Sequence, residues 1–301
     1  MIAKKNEKFF DLSSDVYFKQ FFLNKHCLAL FLSVLWDKRV NENDISYDNT
    51  ESVYPSNKKI VYDVLASIKL EDSIKTIKIN LEMQNENYYN LKTRMDYYSS
   101  RKYSELVSPN EDYDNAYLES IWFLGFNNIK SYVKDDSKWM TKYYLQNEEG
   151  CIINPDHVVR LIFLKNKENC PIMELREFLE WFDNLDVNNL PKPQGILAME
   201  ASKMLKKMNS DEALRNEAFS RELFFKDQYN KLKSAKQEGM EEGLAKGKAE
   251  GKAEGMKEGL AKGIEERNIK IAKKLFESGQ TKEFISSITG LSLDELNNIL
   301  K

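Results

Sequence analysis

Residues 58–84 hold two runs that read as extended strands, and together they limit the fold more than any other stretch. In SIKTIKINLEMQ (73–84) apolar and polar residues alternate: Ile77, Ile79, Leu81 and Met83 on one side, Lys78, Asn80, Glu82 and Gln84 on the other. Strand side chains repeat every two residues, so Glu82 and Gln84 are neighbours on one sheet face. The preceding run, KKIVYDVLASIKL (58–70), joins it through Glu71-Asp72, a connection short enough for a hairpin. Within IVYDVLA, Asp63 is the single charge. Val61 and Leu65 share its face, and Ile60, Tyr62, Val64 and Ala66 take the other. A carboxylate with apolar neighbours on both faces must be paired, hydrogen-bonded or bound to a cation, because burying it bare is costly.

Helical and strand rhythms alternate around this hairpin. DLSSDVYFKQFFLNKHCLALFLSVLWDKRV predicts two helices broken near Asn24, the first capped by Ser13 or Ser14. Further strands are expected at 45–55, 117–126, 138–146 and 157–164, and helices at 88–107 and 173–185. That order is a mixed α/β core rather than a sandwich or a bundle.

Composition excludes several chemistries. The 301 residues carry 45 basic and 48 acidic side chains, net −3, which argues against a bulk polycation but leaves room for a local basic groove. Only His26 and His157 are present, too few for an HExxH or Cys/His zinc site, and neither GxGxxG nor GxxxxGK[ST] occurs. Three scattered cysteines, no signal-peptide core and no apolar run of membrane-spanning length lead to the expectation of a cytoplasmic protein without a membrane role.

Because the two strands are hairpin neighbours, Asp63 and Glu82 can converge on one sheet face. Two such carboxylates form a hard, oxygen-rich site suited to Mg²⁺ or Mn²⁺. An internal salt bridge to Asp63 satisfies the same burial argument, so both readings stand at this point.

An Asp on one strand followed by Glu-x-Gln on the next resembles the PD-(D/E)XK nuclease signature, whose last motif is Glu-x-Lys. SSDVYFKQFF, DVLA, LEMQ, RMDYYSSRKYSEL, the glycine repeat and ITGLSLDEL, in that order, resemble the recombination-promoting nucleases, also described as PD-(D/E)XK family transposases. The resemblance implies a restriction-endonuclease-like α/β fold, a mixed sheet core flanked by helices, and Mg²⁺-dependent cleavage of DNA phosphodiesters. It implies Asp63 and Glu82 as metal ligands and Gln84 in the place of the lysine, orienting the attacking water without bringing a positive charge. Lys19 would then supply charge from the first helix, and Asp15 would support the metal.

The tyrosine-rich helix after Gln84 suits DNA as a partner. Arg94, Tyr98 and Arg101 follow an i, i+4, i+7 spacing on one face, and basic groups interleaved with aromatics suit phosphate and base contact.

The remainder divides by composition. Residues 1–193 form the nuclease-like domain and 194–237 a charged helical extension. In 238–263 seven of the twelve glycines recur at every fourth position from Gly239 to Gly263, and 264–301 form a small helical tail. Glycine costs about 1 kcal/mol against alanine in a helix, so seven carry a penalty of about 7 kcal/mol. A four-residue period also drifts about 40° per step, so a marginal helical spacer is expected rather than a rigid zipper. The tail is expected as three short helices, with a capping box from Ser292 to Glu295. Its six basic and six acidic residues fit an assembly module, through which copies would associate, better than a DNA reader. The competing expectation is a catalytically weak or inactive protein that acts through this tail.

Overall fold

The computed structural model describes residues 8–53, 59–70, 75–106, 116–183 and 185–300. The chain divides into two compact units, Met1–Phe225 and Lys226–Lys301.

In the first unit, α1 (Asp15–Phe22) and α2 (Lys25–Trp36) form from the opening segment. They separate at Asn24, whose side chain accepts from the Cys27 N–H and so caps α2. Ser14 occupies the N-cap position of α1, but its hydroxyl makes no capping bond. The Ser13 hydroxyl is turned to the Asp11 carboxylate at 2.6 Å. The serine cap expected there is therefore absent: Asp11, the stronger acceptor, takes the Ser13 hydroxyl instead.

Among the described residues eight strands follow: β1 (Ile45–Tyr47), β2 (Glu51–Val53), β3 (Lys59–Val61), β4 (Val64–Lys69), β5 (Thr76–Gln84), β6 (Ala116–Leu124), β7 (Met140–Tyr143) and β8 (His157–Phe163). Six build the main sheet in the order β1-β4-β5-β6-β8-β7, and β2 pairs β3 in a separate ribbon. Two expected strands are thus divided. The 45–55 run becomes β1 and β2 in different sheets, and the 58–70 run breaks at Tyr62-Asp63, where the chain leaves the ribbon for the main sheet. β4 and β5 are antiparallel, as the hairpin expectation requires. The Glu71-Asp72 connection itself lies outside the described residues. β5, β6 and β8 run parallel, with β7 antiparallel at the edge.

Strand parity sorts the two faces. Ile79, Leu81, Ile121, Phe123 and Ile162 face α1, α2, α4 (Met173–Leu179) and α5 (Ile196–Ser210). The expected helix 173–185 ends early as α4, followed by a tighter 3₁₀ turn at Glu180–Phe182. Phe22 meets Phe31 and Phe123 at ring-centroid distances of 5.2 and 5.6 Å, and all are fully buried. On the other face Leu91 and Met95 of α3 (Leu91–Ser104) pack on Trp122, Leu124, Leu161 and Phe163. Glu82 pairs in register with Trp122 and Gln84 with Leu124, so the polar stripe of β5 lies on the α3 face. It is not wet: Asn80 and Glu82 are each 1% exposed and Gln84 7%.

α6 (Glu212–Glu277) continues through all seven repeat glycines, and a Cβ added at any of them would meet nothing within 4 Å. In the second unit, α7 (Lys282–Thr289) and α8 (Leu293–Ile299) close a small core of Ala272, Ile285, Leu296 and Leu300. The first of the three tail helices expected is the end of α6. The Ser292–Glu295 capping box is formed. Among the described residues no helix is long and apolar enough to cross a membrane.

Candidate active site

Asp63 and Glu82 meet at the end of the β4–β5 ladder. Val64 faces Leu81, so the next pair outward is Asp63 opposite Glu82, where facing side chains lie about 5 Å apart at Cβ. Each carboxylate also takes a backbone donor from the other strand. The Met83 N–H donates to Asp63 Oδ2 at 3.0 Å, and the Asp63 N–H lies 3.4 Å from Glu82 Oε1. The strand break at Asp63 thus frees an N–H that a carboxylate, rather than a carbonyl, receives.

Two cations flank the pair. Lys19 of α1 places its Nζ 3.1 Å from Asp63 Oδ1 and 2.8 Å from Asp15 Oδ1, while Asp15 Oδ2 is held by Arg221 of α6 at 3.2 Å. Arg94 of α3 sets Nη2 3.9 Å from Glu82 Oε2, and its Nη1 donates to Gln84 Oε1 at 3.4 Å. Gln84 Nε2 donates to the Glu86 carbonyl at 2.8 Å. A carbonyl only accepts, which fixes the amide nitrogen there and turns Oε1 to the site.

Burial dominates the electrostatics. It pushes Glu82 well above the usual carboxylate range, the charge of Asp63 pushes it further, and Arg94 pulls back. Asp63 is likewise raised by burial, against the pull of Lys19. Burial alone would lower Lys19, but the Asp63 and Asp15 charges outweigh it and raise the ammonium. The salt-bridge reading of Asp63 is therefore present as Lys19, yet Glu82 does not turn away. Both acids share one cluster.

Among the described residues no group of three or more His, Cys, Asp and Glu side chains gathers in ligating geometry. The oxygens of Asp63 and Glu82, with Gln84 Oε1 beside them, nevertheless fit a hard divalent cation. Mg²⁺ characteristically takes one or two carboxylates and completes its shell with water and substrate phosphate. Two acids of raised proton affinity, packed together, are also what a cation relieves.

The residues expected to face DNA are placed unevenly. Arg94 is turned to Glu82 and Gln84, with its guanidinium 4.9 Å over the Tyr98 ring and 5.7 Å from Trp122. Tyr98 is half-buried against Tyr62, ring centroids 5.4 Å apart. Arg101 is half-buried one helical turn further along α3. The two histidines lie elsewhere: His26 pairs with Glu42 at the surface, and His157 stacks on Tyr103 and meets Ser99 Oγ at 2.7 Å.

A second buried ion pair escaped the sequence reading. Arg160 Nε donates to Glu119 Oε1, and the Trp36 indole donates to Oε2 at 2.9 Å, with Glu119 1% and Arg160 4% exposed. Each is a lone charge in an apolar strand, the same signal that marked Asp63. This pair borders a cavity of about 450 Å³ near Lys38, Lys75 and Tyr117, at the end of β5 remote from Glu82. Lys75 is joined there to Asp156 as Arg160 is to Glu119, and with Lys38 and Lys142 the lining holds more cations than acids. Each of its acids is tied to a cation, so the cluster of Asp63 and Glu82 remains the chemical candidate for a divalent cation.

A family model described as PD-(D/E)XK nuclease family transposase matches residues 12–235. The chain belongs to that family. The matched span covers Asp63, Glu82, Gln84, Lys19 and Arg94, and it ends before the first repeat glycine, Gly239. With its mixed six-stranded sheet and flanking helices, the protein has a restriction-endonuclease-like α/β fold and a nuclease- or transposase-like role. Neither curated proteins nor solved structures give a match.

Proposed function

We propose that this PD-(D/E)XK transposase is a divalent-metal-dependent DNA endonuclease, cytoplasmic in location, with Asp63 and Glu82 as the residues that hold Mg²⁺ or Mn²⁺. The observation that carries the reading is the reciprocal placement of the two carboxylates on facing strands, buried and of raised proton affinity. When bound, the ion would polarise a phosphoryl oxygen and lower the pKa of coordinated water.

The protein's own groups do the rest. Gln84 Oε1 keeps a free lone pair and accepts a hydrogen bond from the attacking water, turning its oxygen toward phosphorus. That oxygen bonds to phosphorus, its proton passing to solvent, as one phosphorus–oxygen ester bond breaks and the departing oxygen takes a proton from solvent, leaving a phosphomonoester and a hydroxyl. Lys19 holds Asp63 in place from α1 and balances its charge until substrate arrives, and Asp15 steadies Lys19. Arg101, on the face of α3 that carries Arg94, contacts flanking phosphates.

Plasmid nicking tests the reading. Asp63→Ala and Glu82→Ala should each abolish Mg²⁺-dependent nicking while circular dichroism stays that of the parent. Variants that cut like the parent would show the site to be misassigned.

A further inference from the structure

The Glu82-x-Gln84 motif lacks a cation at its third position, and the structure offers two flanking cations that could make up for it. Lys19 is already committed: its ammonium bridges Asp15 and Asp63 at 2.8 and 3.1 Å, so two carboxylates offset its charge and take two of its three donors. Arg94 is not. A guanidinium carries five N–H donors, and among the described residues the Arg94 side chain makes one hydrogen bond, the 3.4 Å contact to Gln84 Oε1, with Glu82 Oε2 3.9 Å from its Nη2. Its Nε is buried with no hydrogen-bond partner among the described residues.

Three features prepare this group for an incoming anion. The rings of Tyr98 and Trp122 lie beneath it at 4.9 and 5.7 Å and limit its orientation. Gln84, tethered by Nε2 to the Glu86 carbonyl, presents its oxygen to Nη1 and fixes the fork from the side. The Arg94 side chain is still 36% exposed, so a ligand can reach it.

We infer that Arg94 is a catalytic residue: its guanidinium takes the non-bridging oxygens of the scissile phosphate and supplies the positive charge that Gln84 cannot, with Gln84 as its positioning residue. This rests on the reading of Asp63 and Glu82 as the cation-holding pair. A guanidinium matches two phosphate oxygens in a planar fork, a contact that strengthens as charge builds on them during hydrolysis. The interleaving of Arg94 with tyrosines on α3 is then part of the reaction centre rather than a sequence-independent DNA grip.

Metal affinity and turnover should move in opposite directions, which a merely structural role would not produce. Removing a cation 3.9 Å from Glu82 lowers the repulsion felt by a divalent ion. At a pH high enough that Glu82 is ionised in both proteins, so that proton competition does not enter, Arg94→Met should therefore bind Mn²⁺ about threefold or more tightly by calorimetry. In the same variant kcat for plasmid nicking should fall roughly 100-fold or more, the loss seen when one charge-stabilising donor is removed. KM for DNA should stay close to that of the parent. Adding Gln84→Lys to Arg94→Met should recover kcat about tenfold by returning a cation to the motif.

Four results would overturn the inference: unchanged kcat, loss of Mn²⁺ affinity together with kcat, a change confined to KM, or no recovery by the lysine. Should Arg94→Met fail to fold by circular dichroism, Arg94→Lys carries the test. Activity within about tenfold of the parent supports the charge role, and inactivity equal to that of Glu82→Ala refutes it. A parent protein that neither binds Mn²⁺ nor cuts overturns the metal site and this inference with it. A parent that does both, matched by Arg94→Met, overturns the inference alone.

Discussion

Lys19→Met tests the electrostatic core of the site without touching either acid. Lys19 sits 3.1 Å from Asp63, with side chains only 25% and 16% exposed. At an effective dielectric near 20 that attraction is about 5 kcal/mol. Removing the ammonium also removes its own desolvation cost, and Asp15 keeps Arg221. The net loss should be about 2–3 kcal/mol, at or below the range for breaking a buried pair.

The sign with pH follows from Asp63. Lys19 lowers a pKa that burial has raised, so the variant's Asp63 takes up a proton more readily. The deficit should be full at pH 8 and shrink as acid neutralises the stranded carboxylate. All four tryptophans, Trp36, Trp122, Trp139 and Trp181, lie in the first unit, so urea unfolding followed by indole fluorescence in EDTA reads that unit alone. A variant within about 0.5 kcal/mol of the parent, the ordinary range for surface changes, would refute the reasoning. So would a deficit that persists unchanged at pH 5.

Three other outcomes are expected. Glu82 has its folded pKa well above the ordinary 4.5, so the native state holds its proton longer and metal-free stability falls as pH rises through that window; Glu82→Gln should flatten this slope and exceed the parent in urea midpoint at pH 8. Glu119→Ala strands the buried Arg160 and should cost about 3–5 kcal/mol in the same urea assay, while Mn²⁺ affinity of the folded protein stays that of the parent. Gly251→Ala, at a position where a Cβ meets nothing within 4 Å, should stabilise α6 by about 1 kcal/mol in thermal melts followed at 222 nm; destabilisation instead would mean that the glycine stripe seats a second helix.

The elements that sequence reasoning located are those whose signal is local. The alternation in IKINLEMQ set the face of Glu82 and Gln84, Asn24 marked the break between the first two helices through its bond to the Cys27 N–H, and Ser292 with Glu295 announced α8. What stayed hidden depends on distant partners. A lone charge in an apolar strand describes Asp63, Glu119 and Arg160 alike. Pairing across β6 and β8 makes the last two a closed ion pair, whereas Asp63 meets a second acid. The approach of Arg94 to that pair depends on how α3 packs on the sheet, which no spacing along the chain encodes; Lys19, from α1 on the opposite side, is expected near the site only through the family resemblance. The break at Asp63 was hidden too, because one strand-disfavouring residue among the β-formers of IVYDVLA does not tell that the ribbon formed by β2 and β3 redirects the backbone there.

The most direct measurement is an anomalous difference map from crystals soaked in Mn²⁺. A peak within ligand distance of both an Asp63 and a Glu82 oxygen, with Lys19 withdrawn toward Asp15, is the predicted result. A map without density there at saturating Mn²⁺, or with the ion bound elsewhere in the chain, would contradict it.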